Sequence, residues 1–251
     1  MDQLKLLVDL HIKGQRQGPG GRDATRRAID LAGLNKKQPL KIADIGCGTG
    51  AASLILAQNL NAEICAVDFL QDFLDELDTQ AVKLGLADRI KTLLASMEAL
   101  PFQDASLDVI WSEGAIYNIG FENGVRYWRK FLKPGGILAV SELTWLTRNR
   151  PDALTRHWCR EYPEVGLPSQ KIGQLETHGY EVLGYFPLSP DCWRDNYYGP
   201  MQGRFANFLD KHGHSSEAMA LVSAEQTEID LYEKYSSFVS YGFYVARKLP
   251  D

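Results

Sequence analysis

The chain has 251 residues, of which 45% are hydrophobic and 24% charged, enough to bury the core of one large α/β domain. Its net charge of −5, from 27 basic and 32 acidic side chains, argues against a nucleic-acid partner, because phosphate neutralisation needs a clustered basic face. No apolar run approaches the ~18 residues of a membrane span, the first residues carry no secretory pattern, and the four cysteines lack any C-x-x-C spacing. A cytoplasmic protein with reduced thiols, no metal site and no membrane partner is expected.

In chain order, Leu4, Leu7, Val8 and Ile12 recur at helical spacing over residues 3–12. The segment Gly14 to Gly21, with four glycines and Pro19, cannot continue that helix. A second helix is expected from Asp23, an N-cap residue, to Gly33, a residue for the position after the helix end. Residues 1–37 therefore read as a helical arm. Its glycine hinges suggest that Gln17 and Gly18 form a lid over whatever the core binds.

From residue 38 the pattern alternates. Short apolar runs rich in β-branched residues at 40–46, 62–68, 89–95, 107–112 and 136–142 read as strands. Between the second and third, Leu70, Phe73, Leu74, Leu77, Ala81 and Leu84 make one apolar stripe of a helix. Such alternation implies a parallel sheet covered on both faces. A helix at 169–178 and a sixth strand at 180–188 complete a core spanning 38–189. An aromatic loop at 190–200 and one or two helices to about Tyr235 form a cap insertion, 190–237, and an alternating segment over 238–247 supplies the final strand, within 238–251.

The most specific feature is Asp44-Ile45-Gly46-Cys47-Gly48-Thr49-Gly50, with Asp68 closing the next strand. A glycine-rich turn from strand to helix, followed about 20 residues on by an acid that can bind a ribose, opens a nucleotide-binding βαβ unit. The spacing is G-x-G-x-G, not the dinucleotide G-x-G-x-x-G. Asp44 beside the loop would also repel a pyrophosphate, by roughly 4 kcal/mol at ~4 Å and an effective dielectric of about 20. The same carboxylate attracts a cation, and S-adenosylmethionine (SAM) carries an ammonium and a sulfonium but no phosphate. An NAD(P)-dependent oxidoreductase is the alternative this spacing disfavours.

With these motifs the chain resembles the class I SAM-dependent methyltransferases of the small-molecule type. Asp44 to Gly50 match the family's first motif and Asp68 its second. Ser96-Met97-Glu98 with Leu100-Pro101-Phe102 match its adenine-contacting segment, Leu107 to Ile110 its fourth strand, and Leu132 to Gly136 its turn into the fifth. The resemblance covers roughly residues 38–145. It implies a Rossmann-like, seven-stranded, mostly parallel sheet whose last strand inserts antiparallel between the fifth and sixth. It also implies SAM as methyl donor, S-adenosylhomocysteine (SAH) as product, and a small-molecule acceptor whose identity the family does not fix.

Expected roles follow. Asp68 binds the ribose, and Asp44, Gly46 and Gly48 the methionine end. Phe69 either stacks on the adenine or caps the core, and Met97 and Glu98 wall the adenine. Strand carboxyl ends face the ligand crevice, so Ser112, Glu113 and Tyr117 should stand near the methyl group, with Glu113 the first candidate base and Tyr117 able to hold a sulfonium through its ring. Glu142 with Trp145, the segment His157 to Tyr162 and the loop Trp193 to Tyr198 could shape the acceptor pocket. His11 and His157 are further candidate bases, and His212 and His214 fall in a polar turn. Because methyl transfer needs mainly positioning and a dry site, no obligatory triad marks the chemistry, and a SAM-binding protein without catalysis stays open. The oligomeric state is not readable.

Overall fold

Period-two alternation in the strands builds the molecule outward from one sheet. The computed structural model describes residues 3–35 and 37–250; Met1, Asp2, Lys36 and Asp251, which fall in the predicted arm and final segment, lie outside the described residues. Two helices, α1 (Gln3–His11) and α2 (Arg22–Leu31), precede β1 (Leu40–Ile45), α3 (Ala51–Asn59), β2 (Ala62–Asp68), α4 (Gln71–Lys83), β3 (Ile90–Leu94) and β4 (Leu107–Glu113). Then come α5 (Phe121–Trp128), β5 (Leu132–Trp145), α6 (Asp152–Glu161), α7 (Pro168–Thr177) and β6 (Tyr180–Pro187). Four helices, α8 (Pro190–Trp193), α9 (Gly199–Gln202), α10 (Phe205–Lys211) and α11 (Ser216–Tyr235), lead into β7 (Val239–Lys248).

The sheet order is β3-β2-β1-β4-β5-β7-β6, with β7 antiparallel to both β5 and β6 and the remaining neighbours parallel. Chain order reverses between β1 and β4, so their carboxyl ends open a crevice at the switch point. Alternate residues serve opposite faces. Ile42, Val109, Trp111 and Ala139 pack with α2, α3 and the cap, whereas Ala43, Ile45, Ile110 and Val140 pack with α5 and α7. Both faces are thus apolar, which is why the strand sequences read as nearly continuous hydrophobic runs. No helix among the described residues is long and apolar enough to cross a membrane.

The structure departs from the sequence expectations in three places. Helix α2 begins one residue early, with Gly21 as its cap, which leaves Asp23 inside the first turn, where it complements the helix dipole. Strand β5 is longer than its apolar run because it pairs with β4 on one side and with β7 through Trp145 on the other. Residues 190–202 are helical, not a loop, with a π-turn at Arg194–Tyr198. Burial forces this: Trp193 stacks on Tyr232 at 4.4 Å and Tyr198 is buried, so the backbone between them must satisfy its own hydrogen bonds.

Candidate active site

The glycine turn after β1 holds its shape through positive backbone angles, φ +72° at Gly46 and +53° at Gly48. A Cβ at Gly46 would meet that of Ala115 at 2.3 Å, and one at Gly48 would meet Gln17 Oε1 at 2.3 Å, so two other segments close against this loop. Asp68, 8% exposed, accepts the Gly48 N–H at 2.9 Å on one oxygen and the Leu70 N–H at 3.0 Å on the other. Burial raises its carboxyl pKa while these N–H groups lower it. The Phe69 N–H lowers it as well. Asp44 is fully buried beneath the loop and accepts from Ser53 Oγ at 2.6 Å; burial, the leading cause, pushes its carboxyl up to about 7.

These groups open into a cavity of about 620 Å³ at the switch point, the size of a small-molecule site. Asp44, Gly46 and Gly48 line one end; Asp68 and Phe69 stand along β2, Ser96, Met97 and Glu98 after β3, and Glu113 and Tyr117 after β4. Gln17 and Gly18 of the arm line it too. Phe69 is 59% exposed at the rim, which removes the reading of it as a core cap. Tyr117 is 42% exposed, and desolvation of its hydroxyl in the cavity raises its pKa.

Ser112 is a correction. It is buried away from the cavity and donates to the Ile45 carbonyl at 2.8 Å, because residue alternation turns it from the crevice and ties β4 to β1. Glu113 also differs from expectation. One carboxylate oxygen accepts from Thr25 Oγ1 at 2.6 Å and Trp111 Nε1 at 2.9 Å, and the other pairs with Arg16 at 2.6 Å. These bonds tie β4 to the arm and to the start of α2. No sequence motif singles out Arg16 or Thr25, because their role arises from a contact between distant segments.

The arm itself lies across the glycine loop. Gln17 Oε1 accepts from the Thr49 N–H at 2.9 Å and Thr49 Oγ1 at 3.1 Å, while its Nε2 donates to the Gly14 carbonyl at 3.1 Å. Asn196 of the π-turn donates to the Gly20 carbonyl at 2.8 Å, so the cap grips the arm from the other side.

Glu142 and Trp145 do not line the cavity. Glu142 is fully buried with neither oxygen hydrogen-bonded, and burial raises its pKa well above the ordinary range, against the attraction of buried Lys171. Such a carboxyl favours its neutral form in the folded state, so its contribution to stability is present at low pH and lost as pH rises towards its folded pKa. Glu142→Gln should therefore gain on wild type as pH rises from 5 to 8, on the order of 1 kcal/mol, in denaturant melts at the two pH values. Equal differences at both would show that Glu142 ionises normally.

Of the other acceptor candidates, Trp193 and Tyr198 are core residues, and the helix carrying His157 lies outside the cavity, reaching it only through Tyr162, whose ring meets that of Tyr117 edge-on at 6.0 Å. Tyr197 and His11 do line the cavity, and so do Glu225 and Glu228 of α11, which belong to no recognisable sequence motif. His212 pairs with Asp9 at 2.7 Å, its side chain largely buried, while His214 is exposed. Among the described residues no group of His, Cys, Asp and Glu could hold a metal ion.

A doubly wound sheet with an acid-lined glycine crevice at its switch point defines the Rossmann-like architecture. The profile of a methyltransferase domain family matches residues 42–136. The 27-O-demethylrifamycin SV methyltransferase of Amycolatopsis mediterranei is 28% identical over 91% of this chain and 85% of its own length. Phosphoethanolamine N-methyltransferase 3 of Arabidopsis thaliana is 27% identical, over 49% of this chain but only 24% of that protein. A SAM-dependent methyltransferase from Geobacter sulfurreducens, solved with SAH, superposes with a TM-score of 0.84 at 17% identity, covering 96% of this chain and 97% of that one. The profile thus covers the glycine turn, Asp68 and the start of β5, and both of these relatives are methyltransferases.

Proposed function

We propose that the protein methylates a small-molecule acceptor in this cavity, and that residues 1–251 act as one methyltransferase unit of arm (1–37), core (38–189), cap (190–237) and final strand (238–251). The observation that carries the reading is that Asp68 and the buried Asp44 both line one cavity with Gly46 and Gly48, where a Cβ would clash with Ala115 and Gln17. The residues fit SAM: Asp68 accepts the ribose hydroxyls, Phe69, Ser96, Met97 and Glu98 flank the adenine, and Gly46 and Gly48 admit the methionine backbone. Asp44 faces its ammonium. Bound there, SAM supplies an electrophilic methyl group on a sulfonium.

The chain's own part is to orient and to exclude water. Gln17 and Gly18 form the lid, latched through Arg16 and Glu113, and Tyr117 presents its ring and hydroxyl to the reacting end. A small acceptor suits a cavity of about 620 Å³ and a molecule of net charge −5; the relative matched over most of its length is named for a rifamycin substrate. Four free thiols suit a reducing, cytoplasmic setting, and no nucleic-acid surface is proposed.

Titration calorimetry with SAM, SAH and NAD tests the cofactor, and tight NAD binding without heat from SAM would sink the reading. Methyl release from SAM over a metabolite panel separates an enzyme from a binding protein. Limited proteolysis tests the lid. Cleavage within residues 14–21 should slow at least tenfold when SAH is present, and Gln17→Ala should abolish most of that protection; equal rates with and without SAH would exclude closure.

A further inference from the structure

The cavity extends past the groups assigned to the cofactor to a second wall made by α1, α11 and the π-turn. Glu225 and Glu228 project from α11 one turn apart, and His11 and Tyr197 stand beside them. His11 is 5% exposed and its Nε2 lies 3.4 Å from Glu225 Oε1. Its Nδ1 is buried and has no hydrogen-bond partner. Glu228 accepts from the Tyr198 hydroxyl at 2.8 Å through one oxygen only.

The chemistry of this wall is one-sided. Its ionisable groups other than the tyrosine hydroxyls are two carboxyls and one imidazole, and among the described residues no lysine or arginine lines the cavity beside them. The cavity's cation, Arg16, is already neutralised by Glu113. An anionic acceptor, or a hydroxyl that must ionise, would be repelled by this wall. A cation with several N–H donors satisfies both carboxylates and gains from the half-exposed aromatic ring of Tyr117. We infer that Glu225, Glu228 and His11 form the acceptor subsite and that it takes a molecule carrying a protonated amine. The inference rests on the cofactor reading above and adds to it the class of acceptor.

The test uses the full chain saturated with SAH and three probes of one shape: benzylamine, benzyl alcohol and benzoate, by calorimetry at pH 7.5. Benzylamine should bind at least tenfold more tightly than the alcohol, with benzoate weaker still. The double variant E225Q/E228Q should lose at least tenfold in benzylamine affinity while its SAH affinity stays within twofold of wild type, which also shows that it folds; each single variant should fall between. Equal or tighter binding of the alcohol or benzoate, absent benzylamine binding, or an unchanged amine preference in the double variant overturns the inference and leaves the cofactor assignment standing. Failure of the wild type to bind SAH overturns both.

Discussion

Asp68→Ala should lower SAH affinity at least a hundredfold in calorimetry, the largest single effect expected of any site substitution. Two hydrogen bonds from ribose hydroxyls to a charged acceptor are worth about 1.5–3 kcal/mol each, and their sum reaches that factor at the lower end. The same carboxylate holds the Gly48 and Leu70 N–H groups, so the variant should also lose about 1–3 kcal/mol of stability from orphaned buried donors. Asp68→Asn separates the two effects. It keeps an acceptor for one N–H but removes the charge, so affinity should fall less steeply than stability recovers. SAH binding by Asp68→Ala within threefold of wild type would remove the ribose from this strand end.

The second large effect is a pH dependence. Burial holds the Asp44 carboxyl at about 7 in the ligand-free protein. A ligand ammonium favours the ionised form, so affinity is greatest above that value and declines as the carboxyl takes up a proton below it. Between pH 8 and pH 6, one proton linked to binding weakens SAH by about tenfold. Asp44→Asn should bind weakly at both values, about tenfold below wild type at pH 8, with the slope gone. Retention of the full slope in that variant would assign the titration to another group, Glu228 first, since burial pushes its carboxyl up to about 7 as well.

Taken together, these tests address the two ends of the proposed donor site, and the amine probes address what lies beyond it. The separation matters because the donor and acceptor walls come from different parts of the chain. Asp44, Gly46, Gly48 and Asp68 lie within one βαβ unit. His11, Tyr197, Glu225 and Glu228 come from the first helix and the cap.

That division also marks how far the sequence could be read. The strands, the crossover helices and the glycine turn were legible because each is a local pattern: strand β2 spans the predicted 62–68, and the stripe from Leu70 is α4. The cap at 190–202 misled, since a run rich in Pro, Gly, Asn and Asp looks like a loop until its aromatic side chains find a core to enter. Ser112 and Glu142 misled for a related reason. Both sit where a strand approaches the crevice, but alternation and the insertion of β7 decide which way each faces.

By itself the sequence determined the order of elements, the crevice at the strand ends and the acid near the loop, because periodicity and glycine spacing act over a few neighbouring residues. Only the tertiary structure decided that Arg16 meets Glu113 across 97 positions, that Gln17 seals the glycine loop, and that α11 brings its two carboxylates to His11. Those contacts depend on how distant segments pack, and no local propensity encodes the distance between them.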